Sequence, residues 1–397
     1  MSGPVVAGKP VGMEVSIAIA EAVKLADVDI VAAYPITPQT HIVEHLAEIV
    51  ADGDLDAEFI PVESEHSAMS VCCGTAAVGA RTFTATSSQG LALMHEILFI
   101  ASALRLPIVM AVANRALSGP INIWNDHSDV MANRDVGWVQ VFAENGQESL
   151  DLTLWAFRLA EDKRVSLPVM VNFDGFLLSH VVEPVTLPDA ETVRRFLPPF
   201  DPLQRLDVDQ PRSFGPVGIP DIYTEAKKAQ LQALLDAHGP IRETWAEFEK
   251  TFGRTYRPVE TYCAEDADLL MLTMGGLGET AMSVVDERRA KGEKVGLVRI
   301  RLWRPFPFAE FKRAVAGCKV LAVIDRAISF GGPMGPVASE VKAALYDEAR
   351  RPRIVEFVAG LGGRDVTFAD FHRMWDETAA AARADRAPAP RMVGLRE

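Results

Sequence analysis

Two stretches of this 397-residue chain alternate short apolar runs with helix-spaced segments, and that rhythm leaves few folds open. In the first stretch the pattern predicts helix over Glu14 to Ala26, strand over Asp29 to Tyr34, helix over Pro38 to Val50 and strand over Ala57 to Val62. A helix of small residues follows over Glu65 to Val78, then a β-branched strand over Arg81 to Thr86 and the turn Ser87-Ser88-Gln89-Gly90. Helix Leu91 to Ala103 leads to strand Pro107 to Ala113. Strand Gln140 to Phe142 and helix Gln147 to Glu161 lead to strand Val165 to Asn172. Apolar strands separated by helices build parallel sheets covered on both faces. The expected fold class is α/β: a doubly wound parallel sheet plus a second, smaller α/β unit.

That second unit begins near Asp266. Strands are expected over Leu269 to Thr273, Val295 to Ile300, Val320 to Ile324 and Arg353 to Val358. Helices are expected between them, over Glu279 to Lys291, Phe308 to Ala316 and Pro336 to Asp347. Between the two units prolines cluster (Pro198, Pro199, Pro202, Pro211, Pro216, Pro220) ahead of one long amphipathic helix, Tyr223 to Phe252. Such a segment wraps a neighbour rather than building its own core. The chain thus divides into a first domain over 1–183, a connector over 184–263, a second domain over 264–375 and a tail over 376–397. The tail is rich in Ala and Arg and is expected to end in disorder.

Charge and cysteine usage exclude several function classes. Lysine and arginine number 40 against 54 acids, a net charge of −14. Such a chain repels nucleic-acid phosphates and offers no basic patch to an anionic membrane. The start, MSGPVVAGKP, lacks the apolar core of a targeting peptide, and the run Ile97 to Ala113 is broken by Arg105 and Pro107. Cys72, Cys73, Cys263 and Cys318 show no CxxC spacing. No disulfide framework, iron–sulfur cluster or structural zinc is therefore expected, and a reducing, cytoplasmic compartment is the default.

Ligands of open α/β sheets bind beyond the carboxyl ends of the strands, and several motifs fall there. In Tyr34-Pro35-Ile36-Thr37-Pro38-Gln39-Thr40, Pro38 suits a first helical turn and Thr37 an N-cap. The same hydroxyl and free amides can hold a carboxylate or carbonyl oxygen. Pro61-Val62-Glu63-Ser64-Glu65-His66 places two carboxylates at a helix start, where the dipole alone favours them. A partly buried Glu65 can also hydrogen-bond a ligand nitrogen, with Glu63 as its rival. Thr86-Ser87-Ser88-Gln89-Gly90 reads as a capped turn or as a polar rim to the same crevice. Arg115 ends another strand and can offer its planar fork to a carboxylate.

Two further motifs have ordinary explanations. Asn125-Asp126-His127-Ser128-Asp129 holds the letters of a hydrolase triad, but neighbours in sequence do not make the relay and no GxSxG elbow is present. A capped helix start is the simpler meaning. Gly276-Leu277-Gly278-Glu279-Thr280-Ala281 fits GxGxxA after a strand, a dinucleotide signal. The acid expected near the end of the next strand is replaced by Arg299 and Arg301, which favours a plain tight turn.

Taken together, YPITPQT, VESEHSAMS, TATSSQGLALMHE, LPIVMAVANRAL, NIWNDHSD, RLWRPFP and GLGGRD, running in that order, resemble the α subunit of the 2-oxoacid:ferredoxin oxidoreductases. The likeness is greatest to the pyruvate:ferredoxin enzymes and extends from about Met13 to Asp370. It implies a thiamine diphosphate-binding, pyrimidine-type first domain and a transketolase C-terminal-like second domain. It also implies oxidative decarboxylation of a 2-oxoacid, pyruvate first, to its acyl-CoA and CO₂. The implied partners are β, γ and δ-type subunits, coenzyme A, and ferredoxin or a flavin/NAD subunit as electron acceptor. Thiamine diphosphate would be shared with the β subunit, and Mg²⁺ and [4Fe-4S] clusters would lie on partner subunits. In keeping with this, Ala51-Asp52-Gly53-Asp54 offers a DGD tripeptide without the Asn of a diphosphate–metal motif.

Carried over by position, the resemblance makes Glu65 the catalytic carboxylate at the aminopyrimidine ring. It places Pro35, Ser88 and Gln89 about the cofactor and Thr37 and Arg115 on the substrate. Asp126, His127 and, more weakly, His66 are further lining; Gln39 and Ile121 to Trp124 are candidates for shaping the pocket. Branched-chain, aryl (phenylglyoxylate-like) or dicarboxylic 2-oxoacids are alternative substrates. A non-catalytic scaffold and an NAD(P) enzyme using the Gly276 turn are alternatives of other classes.

Overall fold

The computed structural model describes residues 8–384 and 387–396. Its strands, in chain order, begin with β1 (Val11–Glu14), β2 (Ile30–Ala33), β3 (Glu58–Pro61), β4 (Thr82–Thr86) and β5 (Ile108–Asn114). Next come β6 (Val139–Phe142), β7 (Val169–Asp174), β8 (Val182–Val185), β9 (Val259–Tyr262) and β10 (Leu269–Thr273). The last are β11 (Val295–Ile300), β12 (Leu302–Arg304), β13 (Val320–Asp325), β14 (Arg353–Val358) and β15 (Arg391–Met392).

One sheet runs β12-β6-β7-β5-β4-β2-β3 and is parallel except for β12. β4, β5 and β7 are buried at every position, and β5, Ile108 to Ala113, is accordingly an unbroken apolar run rather than an alternating one. A second sheet runs β15-β14-β13-β10-β11-β9, parallel except for β9. β1 and β8 form a separate antiparallel ribbon. No helix among the described residues is long and apolar enough to cross a membrane.

The connector joins the first core. Its long helix is two, Pro220–Asp236 and His238–Phe252, with Ala237 between them. Pro240 accounts for the break, because it has no N–H to bond the carbonyl four residues back. Trp245 stacks on Trp155 at 4.7 Å between ring centroids, and Phe196, Phe248, Phe252 and Tyr256 pack edge-on against one another in the same core.

Three features differ from the sequence expectation. β12 leaves the second domain and pairs with β6, so the first sheet borrows residues from within 264–375. β9 lies in the expected connector yet pairs with β11 of the second sheet. Among the described residues, the expected tail holds regular structure: helix Phe368–Ala381 runs into it, capped by Thr367 and Asp370, and β15 pairs with β14. The helix buries Met374, Trp375, Thr378 and Ala381, and residues 385, 386 and 397 of the tail lie outside the described ones.

The arginines that replace the dinucleotide acid lock the domains together. Arg299 pairs with Glu144 and Glu260, and Arg301, itself buried, pairs with Glu148 and Glu260. The glycines of the GxG turn serve the same contact. A Cβ on Gly278 would sit 2.7 Å from the Glu144 carboxyl carbon, and Gly276 N donates to Asp174 Oδ2 at 3.1 Å. The N-terminus of helix Leu277–Arg289 is thus met by carboxylates of the first domain.

Candidate active site

From β2 the chain moves to β3 on one side and returns to β4 on the other. The loops leaving β2 and β4 therefore diverge and leave a crevice between them, the place where open α/β sheets hold ligands. Gln39 bridges it: its buried Nε2 donates to Tyr34 O at 2.8 Å and to Ala85 O at 3.3 Å. That tie delays the helix, which starts at Thr40 with Gln39 as its N-cap. Thr37 is therefore not the cap, and Pro38 lies before the helix rather than in its first turn. Pro35 and Thr37 are exposed on the loop.

Glu65 is the first residue of helix Glu65–Val78, which is capped by Ser64 accepting from Ser67 N and ended by Gly79 in the left-handed conformation. The helix turns Glu65 inward, to 7% exposure, while Glu63 stays exposed and accepts from Ser67 Oγ at 2.7 Å. That hydroxyl holds the Glu63 carboxyl below its ordinary value. Glu65 packs against the loop after β4, where a Cβ on Gly90 would lie 2.7 Å from its Oε1 and 2.4 Å from Thr86 Oγ1. Only glycine leaves room for the carboxylate there.

The Glu65 carboxylate accepts no hydrogen bond from any described residue. Thr86 Oγ1, Gln39 Oε1 and Asn114 Oδ1, on the same strand ends, are buried and also lack partners. Unpaired buried polar groups are costly and mark places where a ligand completes the bonding. His66 points away to an exposed pairing with Glu96.

Ser88, Arg115 and Asn114 are gathered by a residue that sequence reasoning passed over. Asp129 is fully buried; its Oδ2 accepts from Ser88 N (3.0 Å) and Arg115 N (2.9 Å), and its Oδ1 from Asn114 Nδ2 (3.1 Å) and Val130 N (2.7 Å). The tie holds Ser88 at φ +46°, a strained value for a residue with a side chain. The Ser88 hydroxyl donates within the loops, to Ala116 O and to the half-buried Gln89. Arg115 uses Nε on Asn122 O and Nη1 on Thr37 O, both at 2.8 Å, while its Nη2 has no partner among the described residues. Burial lowers the basicity of this guanidinium and the Asp129 charge restores part of it.

Burial pushes the Asp129 carboxyl up to about 7 against the pull of its amide donors. The folded chain therefore keeps a proton that the unfolded chain releases near its ordinary 3.8. This contribution to stability is full at low pH and is lost as pH rises toward 7. Asp129→Asn removes the titration and keeps the side-chain shape, so the stability of wild type relative to Asp129→Asn in urea unfolding should fall as pH rises from about 5 to about 8. A difference constant with pH would remove the titration from Asp129.

Asp126 and His127 bond toward the second domain. Asp126 Oδ1 accepts from Ser128 N and Oγ at the start of helix Ser128–Ala132, and its Oδ2 accepts from Gly362 N of the second domain at 3.2 Å. His127 Nε2 lies 3.1 Å from Asp174 Oδ1, and His127 N donates to Arg326 O. Burial lowers the His127 pKa, and although burial alone would raise Asp174, Arg326 and His127 hold it far below the carboxylate range. The second domain supplies part of the pair's partners, Gly362 N to Asp126 and Arg326 O to His127 N. Residue spacing within NDHSD carries no trace of them.

The comparisons with known proteins agree with this architecture. The family described as "Pyruvate flavodoxin/ferredoxin oxidoreductase, thiamine diP-bdg" matches residues 21–244, and "Pyruvate:ferredoxin oxidoreductase core domain II" matches 267–371. Pyruvate synthase subunit PorA of Pyrococcus furiosus is 49% identical over 97% of this chain and 97% of its own length. PorA of Methanocaldococcus jannaschii is 53% identical over 89% and 90% respectively. Ketoisovalerate oxidoreductase subunit VorA of Pyrococcus horikoshii is 46% identical over 87% of both. In fold, 2-oxoglutarate:ferredoxin oxidoreductase from Magnetococcus marinus superposes with a TM-score of 0.68 at 20% identity, covering 89% of this chain and 63% of that one. A split-gene transketolase gives 0.52 at 11%, covering 93% and 99%. About half of all positions are identical in relatives matched over most of their own length, and the chain belongs to the pyruvate flavodoxin/ferredoxin oxidoreductase family.

Proposed function

We propose that this chain is the pyrimidine-holding subunit of a multi-subunit 2-oxoacid oxidoreductase, which converts pyruvate to its acyl-CoA and CO₂ with electrons leaving through iron–sulfur clusters on partner subunits. The observation that carries it is Glu65: a buried carboxylate without a protein partner, beyond the strand ends. An aminopyrimidine suits this place, since the Glu65 carboxylate stands with the unpartnered Thr86 hydroxyl about Gly90, and the Gln39 amide oxygen on the loop after β2 is also without a partner. Bound thiamine diphosphate supplies the carbon nucleophile and electron sink that decarboxylation needs. Glu65 holds a proton at the ring nitrogen. Arg115 turns its free Nη2 to the substrate carboxylate, and Thr37, held through its carbonyl, borders that carboxylate. Pro35, Ser88 and Gln89 complete the walls.

A partner chain covers the crevice in this reading. Tyr34, Ile121, Trp124 and Leu177, on the loops about it, are 38%, 79%, 50% and 50% exposed. A contiguous apolar rim of this kind marks a contact surface. The β, γ and δ-type subunits, ferredoxin or a flavin/NAD acceptor, coenzyme A and a cytoplasmic location belong to the same proposal. Mg²⁺ and the diphosphate fall to the β subunit.

The test is the purified complex with a panel of 2-oxoacids. Thiamine diphosphate- and coenzyme A-dependent CO₂ release is expected, with the highest kcat/KM for pyruvate. A preference for 2-oxoisovalerate would support the second reading, which the similarity to the ketoisovalerate subunit favours. Turnover by this chain alone would overturn both.

A further inference from the structure

The cysteine pattern predicts no structural zinc, but a different set of ligands converges beside the β1–β8 ribbon. Glu14 ends β1, His41 lies in the first turn of helix Thr40–Ala51, and His180 lies in the turn between β7 and β8. One ring nitrogen of each histidine and one Glu14 oxygen all lie within 4.8 Å of one another. We propose that Glu14, His41 and His180 form a site for a divalent transition cation of the zinc class, separate from the crevice residues assigned above.

The cluster is held from three directions. His41 Nδ1 is 2.6 Å from Glu14 Oε1, and the two imidazoles face each other at 4.4 Å between centroids. Ser179 Oγ contacts His180 Nδ1 at 2.7 Å and also accepts from Phe176 N. This fixes the ring with its other nitrogen available, the outer-shell arrangement that ligating histidines show. Ser16, next to β1, bonds Ser179 O through both its N and Oγ, so the His180 turn is anchored to the strand that carries Glu14. Phe176 packs against the His180 ring, tilted by 42° at 4.6 Å between centroids.

A simple ion pair explains His41 and Glu14 but not His180. Two imidazoles and one carboxylate are the donor set that Zn²⁺ takes, and their ligand atoms already lie within 4.8 Å of one another. Tetrahedral bonds of about 2.0–2.1 Å place ligand atoms about 3.3 Å apart, so side-chain shifts of about an ångström close the site. The group is half-exposed, which leaves the remaining position to water. The ligands stand at positions 14, 41 and 180, a separation in which no motif spacing is visible.

The experiment is calorimetric titration of ZnCl₂ into the EDTA-treated full-length chain in a non-chelating buffer. One Zn²⁺ per chain is expected, together with a rise in Tm on zinc addition. His41→Gln and His180→Ala should each weaken binding at least about 100-fold and remove the Tm rise, whereas His66→Ala, at a separate exposed pair, should leave both unchanged. Zinc-edge anomalous scattering from wild-type crystals soaked in zinc locates the ion even if a variant fails to fold. No saturable one-to-one binding, binding that survives His41→Gln and His180→Ala together, or an anomalous peak elsewhere would overturn the site.

Discussion

Glu65→Gln in the assembled complex is expected to abolish hydrogen exchange at the reactive carbon of thiamine diphosphate and to lower turnover by roughly 100- to 10,000-fold, the range general acid–base groups supply. The amide keeps the shape of the carboxyl, so the packing against Gly90 survives. What it cannot do is share a proton with a ring nitrogen at the strength of a carboxylate. Stability should move the other way. A buried carboxylate with no hydrogen-bond donor costs desolvation, and replacing it by a neutral group should leave the Tm equal or higher. Loss of activity with retained or increased Tm is the pattern of a residue placed for chemistry rather than for folding.

Glu63→Gln is the matched control. Glu63 is exposed and bonded to the Ser67 hydroxyl, so its replacement should leave exchange and turnover within about twofold, as surface changes usually do. If instead Glu63→Gln abolishes exchange and Glu65→Gln does not, the proton-sharing role moves two residues back. The helix would then have to start differently from the Ser64 cap seen here.

The parts of this molecule that were legible in sequence are those set by local physics. β5 is read from its apolar run, β4 from its β-branched residues, and helix Glu65–Val78 from its run of small residues. Glu65 and Arg115 stand out because they follow strands. What stayed hidden is set by contacts distant in the chain. The three residues of β12 carry no strand signal of their own and exist because β6 offers an edge. Thr37 looks like a cap until Gln39 is tied to Ala85, 46 positions away. Asp129 was visible in NDHSD only as one more acid near a helix start. Its four donors come from three segments brought together by the sheet. His127 and Asp174 acquire their meaning from Arg326 of the second domain.

Arg115→Ala is expected to raise KM for the 2-oxoacid by roughly 30- to 1,000-fold, equivalent to about 2–4 kcal/mol for a desolvated charge pair. The geometry separates two contributions to that loss. Nη2 is free for the substrate carboxylate, while Nε and Nη1 hold Asn122 O and Thr37 O and so keep the loop after β2 in place. Arg115→Lys isolates the first contribution from the second. A single ammonium keeps the charge but cannot span two carbonyls and a carboxylate. It should recover part of the KM and little of the loop order, which hydrogen exchange at the amides of residues 34–40 would report. A competitive inhibitor without a carboxylate should bind wild type and Arg115→Ala within about threefold if the lost energy belongs to the charge pair. If that inhibitor weakens as much as the substrate, Arg115 acts by holding the Thr37 loop alone. An unchanged KM in Arg115→Ala would take the arginine out of the substrate site altogether.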